Sequence, residues 1–142
     1  MLIFRYDKTF EGLLTVVFDA YNRKTFPERI LGEDDIAPLF VEECFTVTTD
    51  TEKSQRVWNG LRKKLQANTL NMLTHIWLSE EPGCDELLFR YIRKTFDSKH
   101  SIETNFADDD VLQANKLARK VSHEKHRMIE FVRFQKAADD LF

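Results

Sequence analysis

Residues 2–21 read LIFRYDKTFEGLLTVVFDAY, and this stretch decides the fold. Its first five residues alternate, with Leu2, Phe4 and Tyr6 on one side and Ile3 and Arg5 on the other, the period-two pattern of a half-buried strand. Thr9 then offers a helix cap, and Phe10, Leu13, Leu14, Val17, Phe18 and Tyr21 fall at the spacing of one apolar helical stripe. The helix should stop near Phe26-Pro27, because the residue before a proline is pushed out of the α region.

Working outward, residues 28–43 are acidic and irregular, with Gly32, Glu33-Asp34-Asp35 and Pro38, and read as a surface connection. The β-branched and aromatic run at 44–48 predicts a second short strand. Thr49 and Glu52 then stand at capping-box spacing ahead of a helix from about Thr51 to Gln66, whose buried stripe is Val57, Trp58, Leu61 and Leu65. A further helix restarts at Asn68 or Thr69 and closes at the Glu-Glu-Pro-Gly turn, 80–83. Leu87, Leu88, Tyr91, Ile92 and Phe96 mark the next, and Asp108-Asp109-Asp110 open a last long one through Val111, Ala114, Leu117, Ala118 and Val121. Residues 130–135 alternate and predict a strand, with Leu141-Phe142 as the start of another. The expectation is one α+β domain over 1–142, mostly helical with about five helices and a small antiparallel sheet. It is expected to be truncated at its carboxyl end, as the amino-terminal part of a longer protein.

A length of 142 residues accommodates one core, and 42% apolar content with 12 Phe, 3 Tyr and 2 Trp is enough to fill it. No apolar run approaches the ~20 residues of a membrane span, so no membrane partner is expected. Cys44 and Cys84, forty residues apart, have no metal or disulfide spacing; with no secretory signal, free thiols in a cytoplasmic protein are expected. Gly12, Gly32, Gly60 and Gly83 are scattered and cannot form a phosphate loop, and no cofactor is expected.

His123, Glu124 and His126 have the wrong spacing for the zinc-protease helix and read as polar helix surface. The Asp108–Asp110 run reads as dipole complementation and solvation rather than a Mg²⁺ site. A net charge of −3 is not that of a dedicated nucleic-acid module, and residues 1–50 carry 10 acidic against 5 basic side chains. Contact with nucleic acid would need a local patch. Residues 113–136 supply one, with Lys116, Arg119, Lys120, Lys125, Arg127, Arg133 and Lys136 against two Glu. Phe131 and Arg133, two apart, share a strand face suited to stacking on unpaired bases.

Three stretches carry a resemblance: Tyr-Asp-x-Thr-Phe-Glu-Gly-Leu-Leu-Thr at 6–15, Thr-Asp-x-x-Lys-x-x-Arg-Val-Trp-x-Gly-Leu at 49–61, and Lys-Val-x-x-Glu-x-His-Arg-Met-x-x-Phe-Val-Arg-Phe at 120–134. Together they resemble a bacterial family of uncharacterised domains described as probable DNA metabolism proteins. That family pairs with a putative radical-SAM DNA modification or repair protein and is in places fused to a uracil-DNA glycosylase-like domain. The resemblance implies a functional surface of Asp50, Lys53 and Arg56 from the second motif and Glu124, His126, Arg127 and Arg133 from the third, with Arg90 and Arg93 as additions. The favoured expectation is an accessory domain in DNA metabolism or repair that contacts DNA or a repair enzyme. The alternatives are an adaptor for the radical-SAM partner and a nucleotide- or base-modifying enzyme in which His126 handles a proton beside Glu124 or Arg127. Oligomeric state is left open.

Overall fold

The protein is described by a computed structural model that covers residues 2–36, 39, 41 and 43–121. The elements run β1 (Leu2–Tyr6), α1 (Phe10–Arg23), β2 (Arg29–Gly32), β3 (Glu43–Thr46), α2 (Thr51–Lys64), α3 (Ala67–Leu78) and α4 (Cys84–Asp97). A fifth helix, α5, begins at 109 and is described through 121. The α+β class and the five helices are as expected. The strands anticipated at 130–135 and at 141–142 lie outside the described residues.

The sheet corrects two expectations. Its order is β2-β1-β3, and both neighbours pair parallel to β1, not antiparallel: Phe4 stands opposite Ile30 on one side and Phe45 on the other. The second correction is β2 itself, inside the stretch read as a surface connection. Arg-Ile-Leu-Gly has two consecutive apolar residues and no alternation, because a strand of a parallel sheet is covered on both faces and lacks the period-two signal. The connection through α1 is what allows parallel pairing, which a hairpin loop cannot provide.

Thr9 caps α1 as its sequence position predicts, its hydroxyl accepting from the Gly12 amide. At α2 the cap is Asp50, which accepts from the Lys53 amide, and not the Thr49–Glu52 box. Thr49 instead donates to the Asp7 carboxylate at 2.7 Å, joining the loop after β3 to the loop after β1. At its other end, α2 sends the Lys64 ammonium to the carbonyls of Thr95, Phe96 and Ser98, supplying donors to the carboxyl end of α4.

The core lies between the sheet and the helices. Leu13, Val16, Val17 and Ala20 of α1 pack with Val57 and Leu61 of α2, and Leu73, Ile76, Leu88 and Ile92 extend the cluster through α3 and α4. Gly60 is small for a reason: a Cβ there would come within 2.8 Å of the Phe96 ring. Among the described residues no helix is long and apolar enough to cross a membrane.

Leu61 is fully buried in this cluster. Leu61→Ala should therefore lower stability by about 2–5 kcal/mol, the range for a truncated core leucine. A urea titration should show this as a lower midpoint at unchanged slope.

Candidate functional site

The carboxyl ends of β1 and β2 meet the first turn of α4. There the buried Asp85 carboxylate accepts from the Tyr6 hydroxyl at 2.8 Å and from the Lys8 ammonium at 2.7 Å, both on Oδ2. Lys8 takes the left-handed backbone conformation, φ 62°, which costs free energy for a residue with a side chain. It persists because its ammonium is held between Asp85 and, at 3.8 Å, Asp35. Asp35 in turn accepts from the Gly32 amide at 2.7 Å, while Arg5 donates to the carbonyls of Gly32, Glu33 and Asp35, so the turn after β2 is tied from both sides. Glu86 accepts from the Ile30 amide and from Arg29, which fastens α4 to β2.

These residues border a cavity of about 400 Å³, with Trp77 of α3 and the 80–83 turn as its far wall. Burial first, then the charge and hydrogen bond of Asp85, push the Tyr6 hydroxyl well above its ordinary value, with the Trp77 indole pulling weakly the other way. Burial would lower Lys8, but Asp85 and Asp35 outweigh it and hold the ammonium above its ordinary value. Burial and the adjoining Asp85 carboxylate push the Cys84 thiol up to about 12. The cluster ties the first turn of α4 to the ends of β1 and β2.

A second hollow, of about 410 Å³, lies between the start of α4 and α5. Arg90, Lys116 and Lys120 line it. Arg90 uses its Nε on Asp110 at 2.9 Å and is half exposed, and Lys120 pairs with Glu81 at 3.1 Å while 57% exposed. Arg119 is exposed on the same helix.

Of the residues singled out in the sequence, Arg90 and Lys120 therefore come together here, joined by Lys116. Asp50, Lys53 and Arg56 do not line this hollow. Asp50 caps α2, Lys53 pairs with Asp19 of α1 at 3.0 Å, and Arg56 faces Glu52 one turn away at 4.0 Å. Arg93 stacks over the Phe26 ring at 3.7 Å and meets Asp97 at 3.5 Å. Glu124, His126, Arg127, Phe131 and Arg133 lie outside the described residues. Sequence reasoning missed Lys8, Asp35, Trp77 and Asp85. The available signal was the loop that follows β1 in the first motif, since ligand sites of parallel sheets open at the carboxyl ends of strands.

The acidic run at the start of α5 complements the helix dipole as expected, through Asp108, but is not held by solvation. Asp109 is exposed, but Asp110 is buried and bound by Arg90 and Lys94, and Asp108 accepts from the amides of Asp110 and Val111 while pairing with Lys94. Solvation is thus not what holds these carboxylates. Burial alone would raise both, but hydrogen bonds from Lys94, from Arg90 at Asp110 and from the α5 amides at Asp108 hold them below the ordinary carboxylate value.

The fold and its two hollows define a small α+β module with a three-stranded parallel sheet. Residues 82–142 match a family described as a domain of unknown function, DUF4130. The match takes in α4 and all of the described α5, and hence every cation of the second hollow. No curated protein and no solved structure matches the chain.

Two predictions follow from the charge environment. Because the native Asp108 and Asp110 values are depressed, their stabilisation is present above the unfolded value of ~3.9 and is lost as pH falls through the native values. Lys94→Met should lower neutral stability by on the order of 1 kcal/mol, given a half-exposed ammonium. It should also flatten the decline of the urea midpoint below about pH 4. For the thiols, Cys44 is exposed and Cys84 buried, so iodoacetamide at neutral pH should label one site in the folded protein and both after denaturation.

Proposed function

We propose that the chain is an accessory domain of DNA metabolism or repair that holds nucleic acid through the cationic hollow between α4 and α5. The observation that carries this reading is the convergence of Arg90, Lys116 and Lys120 on one concave surface, with Arg119 exposed beside it. Cations in a groove attract a phosphate backbone without needing a net positive protein, because beyond about 8–10 Å the acidic remainder is screened by salt. Lys116 and Arg119 are exposed on α5, where solvent and a phosphate can reach them. The resemblance to probable DNA metabolism proteins supports this role.

An adaptor for a radical-SAM repair protein is supported by a different feature. Ile36 and Leu39 are 93% and 96% exposed, as apolar side chains at a protein contact would be in the free state.

Binding to single-stranded DNA should weaken linearly in log affinity against log salt, by about 0.7 per phosphate contact. Lys116→Gln and Arg119→Gln should each reduce that slope by about one contact's worth. Failure of any salt-sensitive binding, together with nuclease-resistant co-purification of the radical-SAM protein, would replace this reading with the adaptor.

A further inference from the structure

We propose that the cavity at the carboxyl ends of β1 and β2 is a pocket for one unpaired, amino-bearing nucleobase: cytosine, adenine or guanine. The inference rests on the reading above and assigns the chemistry of what the nucleic acid inserts. The 400 Å³ cavity is within the ~300–1,000 Å³ range of small-ligand pockets and opens where ligands of parallel sheets enter.

Its charge excludes a phosphate as the occupant. Asp35, Glu80, Glu81, Asp85 and Glu86 face only Lys8 and Arg29. Asp85 and Glu86 already hold internal donors, and Glu81 pairs with Lys120. Asp35 uses only its Oδ2 on the Gly32 amide and Lys8, so its Oδ1 and the exposed Glu80 carboxylate are the acceptors offered to an occupant. The matching partner is a neutral group rich in N–H donors, such as an exocyclic amine, which carboxylates accept from in base recognition. Thymine and uracil offer a carbonyl at that position and would face the carboxylates unfavourably.

The aromatic wall fits the same occupant. Trp77 is partly exposed at the cavity and backed by Phe10, ring centroids 5.7 Å apart, which leaves a supported indole on which a base can stack. The cavity is also contiguous with the cationic hollow: Glu81, Pro82, Gly83 and Cys84 line both. One nucleotide can therefore place its base on the acidic, aromatic side of the 81–84 ridge and its phosphate on the cationic side. Glu80, which lines the cavity, has φ 55° because it is the left-handed residue that ends α3, its amide donating to the Trp77 carbonyl.

The test is fluorescence anisotropy of labelled dodecamers of deoxycytidine, deoxyadenosine and thymidine with the full chain, read alongside intrinsic tryptophan fluorescence. The cytidine and adenosine strands should bind about tenfold tighter than thymidine, the scale of one good base contact. They should also quench fluorescence, and Trp77→Phe should abolish the quench while Trp58→Phe retains it. Asp35→Asn combined with Glu80→Gln should bring the cytidine strand down to the thymidine affinity; the asparagine can still accept from the Gly32 amide. Equal affinity for all three strands, or a quench that survives Trp77→Phe, overturns the base pocket and leaves the cationic hollow standing. Binding of none overturns both.

Discussion

One buried carboxylate organises the working face of this domain. Asp85 sits in the first turn of α4 and receives the Tyr6 hydroxyl and the Lys8 ammonium on a single oxygen. A carboxylate removed from water must be fully partnered, and here Tyr6 and Lys8, at and just after the end of the central strand, partner one oxygen while the Cys84 thiol donates to the other. The position of α4 is thereby set against the sheet. The cavity beside Trp77 and the turn leading to the cationic hollow inherit their placement from that contact.

The two hollows have opposite chemistry and share one ridge. On one side carboxylates and an indole surround a small space, and on the other Arg90, Lys116 and Lys120 face outward. The separation is maintained by ion pairs that cross between elements: Arg90 and Lys94 of α4 hold Asp110 of α5, Lys94 also holds Asp108 just before that helix, and Lys120 reaches back to Glu81. Each pair uses part of a cation's hydrogen-bonding capacity, so the helices are clamped together while charge is still presented to solvent. A phosphate backbone and an attached base differ in the same sense as these two surfaces, which is the physical basis for reading them as parts of one nucleotide-holding face.

The helices were legible because their signals repeat. In α1 the stripe from Phe10 to Tyr21 spans three turns and Thr9 stands where a cap is needed. The strand β2 was not legible, since its three consecutive buried residues after the exposed Arg29 carry no period. At α2 two adjacent residues could each cap; Thr49 was drawn away by Asp7, a residue 42 positions earlier, and Asp50 took the role. The site residues divided in the same way. Arg90 and Lys120 were visible as charges on predicted helices, whereas Lys8 and Asp85, 77 positions apart, carried no mark that they would meet.

What the amino-acid order determined by itself is therefore local: which segments are helical, where the first begins, which faces are apolar, and where positive charge accumulates in the last helix. Propensity, capping and periodicity act over a few residues and can be read from a few residues. Strand direction, the burial of Asp85 and Asp110, and the sorting of cations into structural pairs and an outward-facing groove belong to the tertiary structure. Each depends on the low-dielectric meeting of groups distant in sequence, where an unpaired charge is costly enough that packing, not position along the chain, selects its partner.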